Sequence, residues 1–384
     1  MPYFRVMIRL STFDQGKKEE SYEYSYFLPT MINQEWDIDD QEITLLLEKA
    51  AVKLGELNAY ARFVPNMEMF IKLHVTKEAV VSSKIEGTQT NMNEAFLPKE
   101  EIDTPRQHDW QEVKNYIDAM SFATEQMESL PLSSRLIRNT HKVLLQGVRG
   151  ERKLPGEYRT SQNWIGGASL SDAVFIPPHH THIDYLISDL EHFLHNQSIK
   201  VPSLIRIGIA HYQFETIHPF LDGNGRIGRL MITLFLVSEG ILEKPLLYLS
   251  NFFEQRRYQY YDNLTNVRTR GDMIQWLKYF LTGIETTAVE AVNKLTSVLD
   301  LKSRTEIIIT EAFGRRSKSG HTLLMALWEQ PIVKVEDVKS ICSLSFKAAN
   351  DLVALMVDQN ILNEMTGQSR NRLFIFNEYL GIFE

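Results

Sequence analysis

Residues 218–229 read HPFLDGNGRIGR, and the fold around this stretch follows from what flanks it. An apolar run ends at Ile217, and a second apolar run with helical spacing begins near Arg226. The pattern predicts two helices joined by a short loop, so that the loop amides lie at the N-terminus of the second helix. Unpaired amides and the positive end of the helix dipole bind anions there. The stretch therefore predicts an anion site.

The side chains within the loop suit phosphate chemistry. His218 has an ordinary pKa of about 6.5, which suits proton abstraction at neutral pH. Asp222 is a hard oxygen ligand of the kind that Mg²⁺ uses when it bridges phosphates. Gly223 and Gly225 permit positive φ and let the backbone approach a phosphate closely. The loop thus combines a base, a metal ligand and an anion cradle.

Arg226 and Arg229 lie three residues apart on roughly one helix face, where both can donate to phosphate oxygens.

Two other motifs compete with this interpretation of the loop. The glycines also match the dinucleotide fingerprint GxGxxG, but that motif follows a buried strand, and the spacing here is helical on both sides. A Walker loop requires Gly-Lys-Ser/Thr, which the stretch lacks. A plain helix-loop-helix turn would require neither the histidine nor the paired arginines.

A second informative stretch, SSKIEG, occupies residues 82–87. Ser82 and Glu86 are four residues apart, on one face of a predicted helix near its C-terminus. A glutamate at that end opposes the helix dipole, so an arginine partner would explain it. We also expect His211 and Glu215, one turn apart on the helix that leads to His218, to be a buried supporting pair.

Composition and charge restrict the class of protein. The chain has 384 residues, of which 43% are apolar and 23% charged, as in ordinary globular proteins. Its formal charge of -8 argues against non-specific coating of nucleic acid. The single cysteine, Cys342, excludes a disulfide framework. No signal-like region or apolar run near the ~20 residues of a membrane span is evident, so we expect a cytoplasmic protein without membrane contact.

The pattern along the chain predicts a mainly α protein in three regions. Residues 1–108 form an N-terminal arm and a helical region, residues 109–300 a helical core, and residues 301–384 a winged helix-turn-helix. The glycine- and proline-rich segment 147–178 interrupts the core and predicts a short β-hairpin flap. The last region holds ten basic and ten acidic residues. This balance favours contact with protein, including a second copy of the chain, over DNA, which remains an alternative.

Residues 218–229 match the signature H-P-F-x-[D/E]-G-N-G-R-x-x-R at every specified position, and the chain therefore resembles the Fic family. The resemblance implies a compact helical domain that transfers AMP from Mg-ATP to a hydroxyl side chain (Ser, Thr or Tyr) of a target protein or of itself. It implies His218 as the general base, Asp222 as the Mg²⁺ ligand, and Arg229 as the ligand of the γ-phosphate. The cradle of the α- and β-phosphates would be Gly223, Asn224, Gly225 and Arg226.

The resemblance extends beyond the loop. Residues 82–87 match the family's inhibitory motif [S/T]-x-x-x-E-[G/N], which implies the class with an N-terminal inhibitory helix, in which Glu86 pairs with Arg229. The flap would pair with the target backbone as an added strand. Tyr261 lies where the family places a tyrosine against adenosine. The next nucleoside contact expected, an asparagine seven residues on, is Arg268 in this sequence.

Two alternative functions stay open at this point. The first is transfer of another nucleotide or phospho-group, or removal of AMP with Glu86 positioning a water. The second is a DNA-binding regulator whose helical core senses nucleotide.

Overall fold

The computed structural model describes residues 7–63, 67–368 and 371–383, and it is mainly helical, as predicted. The strands are β1 (Met7–Arg9), β2 (Gly16–Glu20), β3 (Ser25–Pro29), β4 (Glu35–Asp37), β5 (Ile332–Val333), β6 (Asn363–Glu364) and β7 (Phe374–Ile375). The helices of the first half are α1 (Gln41–Phe63), α2 (Met67–Ile85), α3 (Met92–Phe96), α4 (Gln107–Gln126), α5 (Ser134–Leu144), α6 (Ile183–His195) and α7 (Ser203–Ile217). The remaining helices are α8 (Asn224–Ser238), α9 (Ser250–Gln255), α10 (Arg257–Arg270), α11 (Met273–Ala312), α12 (Ser317–Leu327), α13 (Val335–Cys342), α14 (Phe346–Asp358) and α15 (Asn377–Gly381).

The centre of the fold is α7, which is buried along its whole length from Leu204 to Ile217. Its sequence is apolar on every face, which is typical of a helix surrounded by others. Gly208 lets α11 approach closely, because a Cβ there would lie 2.9 Å from the Leu277 side chain. Trp276 of α11 donates its indole N–H to the Gly208 carbonyl at 2.9 Å. This packing fixes the end of α7, where the loop 218–223 begins.

The N-terminal arm forms two small two-stranded sheets. β1 pairs in parallel with β4, and β2 pairs antiparallel with β3. The Phe27 amide of β3 donates to the Ile176 carbonyl at 3.0 Å. The Ile32 amide donates to the Asp189 carboxylate of α6 at 2.6 Å. The arm is therefore held against the core and against residues of the predicted flap.

The flap segment contains less strand than a hairpin would. Within residues 147–178, all of which the structure describes, the β structure is a single antiparallel bridge between Ile165 and Phe175. Gly166 and Gly167 both have positive φ directly after the bridge, and a short 3₁₀ turn follows at Leu170–Asp172. These turns leave no room for a longer ladder, so we describe the segment as a looped flap.

α11 is 40 residues long, and the predicted boundary between residues 300 and 301 lies inside this single helix. Beyond it, α12, α13 and α14 pack beside a three-stranded sheet of order β5-β7-β6. β6 and β7 of this sheet are antiparallel strands of two residues each. The identification as a winged helix-turn-helix stays a prediction.

In the described ranges, no single helix has both the length and the apolar composition to cross a bilayer, and only α13 and α14 taken together, across a bend, reach that composition.

Candidate active site

His218 follows the last residue of α7 and has a left-handed backbone, with φ of 49°. That conformation is uncommon for a residue with a side chain. It is supported from the flap segment, because Arg159 Nε donates to the His218 carbonyl at 3.0 Å and Asn163 Nδ2 donates to it at 3.2 Å. Arg159 is almost fully buried, so this support is internal to the fold. The turn aims the imidazole at the cavity beside α8.

The imidazole of His218 is in its neutral form at neutral pH. Burial lowers its pKa to about 3, and the positive charges of Arg268 and Arg159 act in the same direction, while Glu86 opposes them. Its Nδ1 is buried without a hydrogen-bond partner. A neutral imidazole with an unoccupied nitrogen is what a proton acceptor requires.

Asn224 and His141 shape the loop that follows. Asn224 accepts from the Phe220 amide and donates to the Phe220 carbonyl, each at 2.8 Å, so its side chain closes the loop on itself. His141 of α5 stacks on the Phe220 ring with 3.8 Å between centroids. The Gly156 amide donates to His141 Nδ1, so His141 Nε2 carries the proton and donates to the Asp222 carbonyl at 2.9 Å. These contacts leave the amides at the N-terminus of α8 to form the cradle.

Arg226 is buried and bound to two carboxylates. It donates to Glu112 of α4 at 3.1 Å and to Asp222 at 3.4 Å. Glu112 is itself buried and accepts from Arg149 Nε at 2.9 Å. Arg226 Nε has no partner. The guanidinium is thus held beside the cradle by an acid that the sequence analysis did not identify.

Asp222 presents a partly exposed carboxylate, with 41% of its side chain accessible. Its Oδ1 accepts from the Gly223 amide at 2.6 Å. Within the described part of the chain no group of three or more His, Cys, Asp or Glu side chains is arranged to hold a metal ion. A lone accessible carboxylate beside an anion cradle fits Mg²⁺, which proteins bind through one or two carboxylates together with phosphates and water.

Arg229 contacts the helix that carries residues 82–87. Its Nε donates to Ser82 Oγ and its Nη2 to the Ser82 carbonyl, both at 2.9 Å. Nη2 also donates to Glu86 Oε1 at 2.8 Å. Burial alone would raise the pKa of Glu86, but the charge and hydrogen bond of Arg229 outweigh it, so this pKa lies below its ordinary value.

Glu86 lies directly over the N-terminus of α8. A Cβ at Gly225 would come within 2.4 Å of Glu86 Oε1, so glycine is required for this approach. The carboxylate therefore stands where the amides and Arg229 would otherwise face a ligand.

Glu86, Gly225 and Arg229 line an open cavity of about 270 Å³. Tyr261 lies on its wall, 40% exposed, and its ring is 5.2 Å from that of Tyr260. Trp164, Leu264 and Arg268 complete the wall around His218 and Arg229. Five of the ten predicted site residues line this cavity, namely Glu86, His218, Gly225, Arg229 and Tyr261. Ser82 bonds to Arg229 from behind the cavity wall, whereas Asp222, Gly223, Asn224 and Arg226 are not among the lining residues.

His211 and Glu215 are both buried, as expected, but they serve different contacts. His211 bonds to the Gly228 carbonyl at 3.0 Å and to the Tyr260 hydroxyl at 2.9 Å, which ties α7 to α8 and α10. Burial raises the pKa of Glu215 to about 7, and its Oε1 has no partner.

Two segments of the chain match known protein families. Residues 44–125 match the model of the Fic/DOC family N-terminal region, and residues 131–236 match the model of the Fic/DOC family. A protein adenylyltransferase Fic of Culex quinquefasciatus is 32% identical over 133 residues, which cover 34% of this chain and 24% of that protein. A probable protein adenylyltransferase of Aquifex aeolicus is 30% identical over 181 residues, 46% of this chain and 52% of that protein. The chain thus spans about a quarter of the first relative and half of the second.

Solved structures share the fold. A Fic family protein from Desulfovibrio desulfuricans G20 superposes with a TM-score of 0.56 at 19% identity, covering 88% of this chain and 97% of that one. A Fic-1 structure from C. elegans gives a TM-score of 0.51 at 18% identity, over 67% of this chain and 74% of that one. Through its residues 44–125 and 131–236, the chain belongs to the Fic/DOC family.

Proposed function

We propose that this protein is an adenylyltransferase that transfers AMP from Mg-ATP to a hydroxyl side chain of a protein and that it is inhibited by its own Glu86. The observation that carries the proposal is that the neutral imidazole of His218, the N-terminus of α8 at Gly225 and the guanidinium of Arg229 line one cavity. The names of the curated relatives support the reaction class.

Each residue of the site has a role in this reaction. His218 accepts the proton of the target hydroxyl, whose oxygen then bonds to the α-phosphorus while the bond to the β-phosphate breaks and pyrophosphate leaves. Mg²⁺, held by Asp222, would neutralise phosphate charge. The cradle of residues 223–226 would stabilise the charge that develops on the α-phosphate, and such preorganised donors are usually the largest catalytic contribution.

Arg229 and Tyr261 would bind the two ends of ATP. Arg229 lines the cavity and would take the γ-phosphate, while Tyr261 offers a partly exposed ring to the adenosine. Because Arg229 already bonds to Glu86, ATP must displace that carboxylate to use it. Autoinhibition follows from this competition, with Ser82 holding the arginine in the inhibited arrangement.

The target protein would dock on the flap. Ile165 uses its own N–H and C=O to bridge Phe175, so the neighbouring residues Trp164 and Gly166, which line the cavity, are the ones placed to meet a target strand. For residues 301–384 the charge balance favours a protein partner or a second copy of the chain over DNA. A DNA shift assay with a steep salt dependence would favour the regulator alternative instead.

The test is incubation of the Glu86→Gly protein with labelled ATP, GTP, UTP or CTP and Mg²⁺, followed by intact-mass analysis. We expect the added mass of AMP on the protein itself or on an added target. In the same background His218→Ala should lower the rate by about 10² to 10⁴, the usual contribution of a positioned base, while nucleotide still binds. Undiminished transfer by the His218→Ala protein would refute the base, and a mass gain only with another nucleotide would refute the adenylyl group.

A further inference from the structure

Arg268 of α10 is bonded to the end of α7. Its Nε donates to Thr216 Oγ1 and its Nη2 donates to the Glu215 carbonyl, both at 3.1 Å. A cation that donates to the last carbonyls of a helix is a favourable C-terminal cap, because these carbonyls have no partner within the helix. Thr216 and Glu215 lie two and three residues before His218, so the cap acts on the turn that aims the imidazole.

The other face of the same guanidinium lies on the flap. The Arg268 carbon Cζ is 4.1 Å from the centre of the Phe175 ring, a close cation–π contact. Phe175 is the flap residue that bridges Ile165, and its ring is also 5.9 Å from that of Phe27 in the arm. Arg268 therefore joins three segments: α10, the end of α7, and the flap strand beside the cavity.

These contacts leave little of Arg268 for a nucleotide. Two of its three nitrogens donate to protein oxygens, and its planar face is covered by Phe175. The position would hold an asparagine that contacts the nucleoside in the family that the chain resembles, but this side chain is used within the protein.

We propose that Arg268 is a positioning residue, which fixes the flap at Phe175 to the end of α7 and thereby sets the distance between His218 and a target strand docked on the flap. The proposal rests on the proposed function, since it concerns the base and the target of that reaction. Lysine cannot replace Arg268, because it lacks the planar face and the fork of donors.

The charge around His218 supports this role. Besides burial, three charged groups influence the imidazole: Arg268 from α10 and Arg159 from the flap segment lower its pKa, and Glu86, the residue after α2, raises it. A backbone hydrogen bond to Glu215 of α7 also raises this pKa. Removing the charge of Arg268 should thus raise the pKa of His218 from its lowered value, whereas Arg268→Lys retains the charge and loses only the stacking and one donor.

The experiment compares Arg268→Gln, Arg268→Lys and Phe175→Leu in the Glu86→Gly protein. The matched control is Arg270→Gln, which removes the same charge from an exposed position on the same helix. Hydrogen exchange of the Ile165 amide, which donates to Phe175, and NMR titration of His218 report on the site without any activity. Transfer rates measured at varied ATP concentration and at varied target concentration then give the KM for each of the two substrates.

In all three test variants we expect the Ile165 amide to exchange about tenfold faster, as the loss of one charge-assisted contact predicts. We expect the KM for the target to rise while the KM for ATP stays constant. The His218 titration should move upward in Arg268→Gln only, and Arg270→Gln should change nothing.

Unchanged exchange and an unchanged His218 titration in Arg268→Gln would overturn the proposal. A change confined to the KM for ATP or to base preference would also overturn it, because Arg268 would then be a nucleoside contact. If no variant transfers any nucleotide, the proposed function fails, but exchange and titration still decide the role of Arg268.

Discussion

The two arginines at the start of α8 are both predicted to bind phosphate oxygens, but they lie in different surroundings. Arg226 bonds to Glu112, whose side chain is only 5% accessible, and Glu112 is bonded in turn to Arg149. Arg229 bonds to Glu86, whose side chain is 35% accessible and lies at the cavity. A carboxylate sealed in the core is a permanent partner, whereas one that water reaches can be displaced by a competing anion. Arg226 is therefore fixed by its carboxylate partner, whereas a ligand can displace the partner of Arg229.

The largest effect should come from Glu112→Gln. This change leaves the buried charge of Arg226 without its main partner, and loss of one member of a buried pair typically costs about 3–5 kcal/mol of stability. Glu86→Gln should cost less, because water reaches this carboxylate and Arg229 keeps both of its bonds to Ser82. Urea unfolding of both variants measures the difference. Equal losses would show that the two pairs do not differ in the way proposed here.

Glu86→Gly should raise AMP incorporation by about one to two decades, because a charge-assisted contact of ~1.5 to 3 kcal/mol no longer competes with the γ-phosphate. Glu86→Asp, which keeps the charge on a side chain one methylene shorter, should lie between this variant and the native protein. Arg229→Ala should not be activated, because this change removes the partner of Glu86 and the proposed γ-phosphate ligand together. Activity of Glu86→Gly no higher than native at every ATP concentration would reject autoinhibition.

Ser82→Ala should have a smaller effect. Arg229 loses the hydroxyl but keeps the Ser82 carbonyl and Glu86, so inhibition should weaken by about 1 kcal/mol, roughly fivefold. The hydroxyl of Ser83, also buried but without a partner, offers the matched control: Ser83→Ala should not activate. Initial rates at subsaturating ATP decide this, and equal activation by both alanines would contradict a specific role of Ser82.

The smallest expected effect concerns pH. The pKa of Glu86 is lowered from 4.5, so its pairing with Arg229 is fully present above that ordinary value and is lost only as pH falls through the lowered pKa. Inhibition, measured as the activity of Glu86→Gln divided by that of the native protein, should therefore be constant from pH 6 to 8. Glu215 titrates near pH 7 and is replaced by glutamine in both proteins for this measurement. A quotient that falls with decreasing pH would mean that Glu86 titrates in this range.

Local patterns predicted the helices near the site well. The two helices expected on either side of the loop 218–223 are found at Ser203–Ile217 and Asn224–Ser238, because apolar periodicity and the glycines between helices are local features. The flap was predicted less well. The turn-prone residues of segment 147–178 indicated a break in the helices, but they did not reveal that its strand pairing is one bridge or that the Ile176 carbonyl beside it accepts from Phe27 of the distant arm.

The sequence by itself determined that the predicted base, metal ligand, glycines and both arginines lie close together, because residues 218–229 form one loop and the first turns of one helix. Together with the family resemblance, it also predicted that Glu86 pairs with Arg229, and the structure has this bond at 2.8 Å. Only the tertiary structure decided which groups support them. Glu112, His141 and Arg159 lie 59 or more residues from parts of the loop that they contact, and no local spacing marks them. Their roles arise from burial, since a buried charge or carbonyl requires a partner and the chain provides it from whichever helix packs nearest.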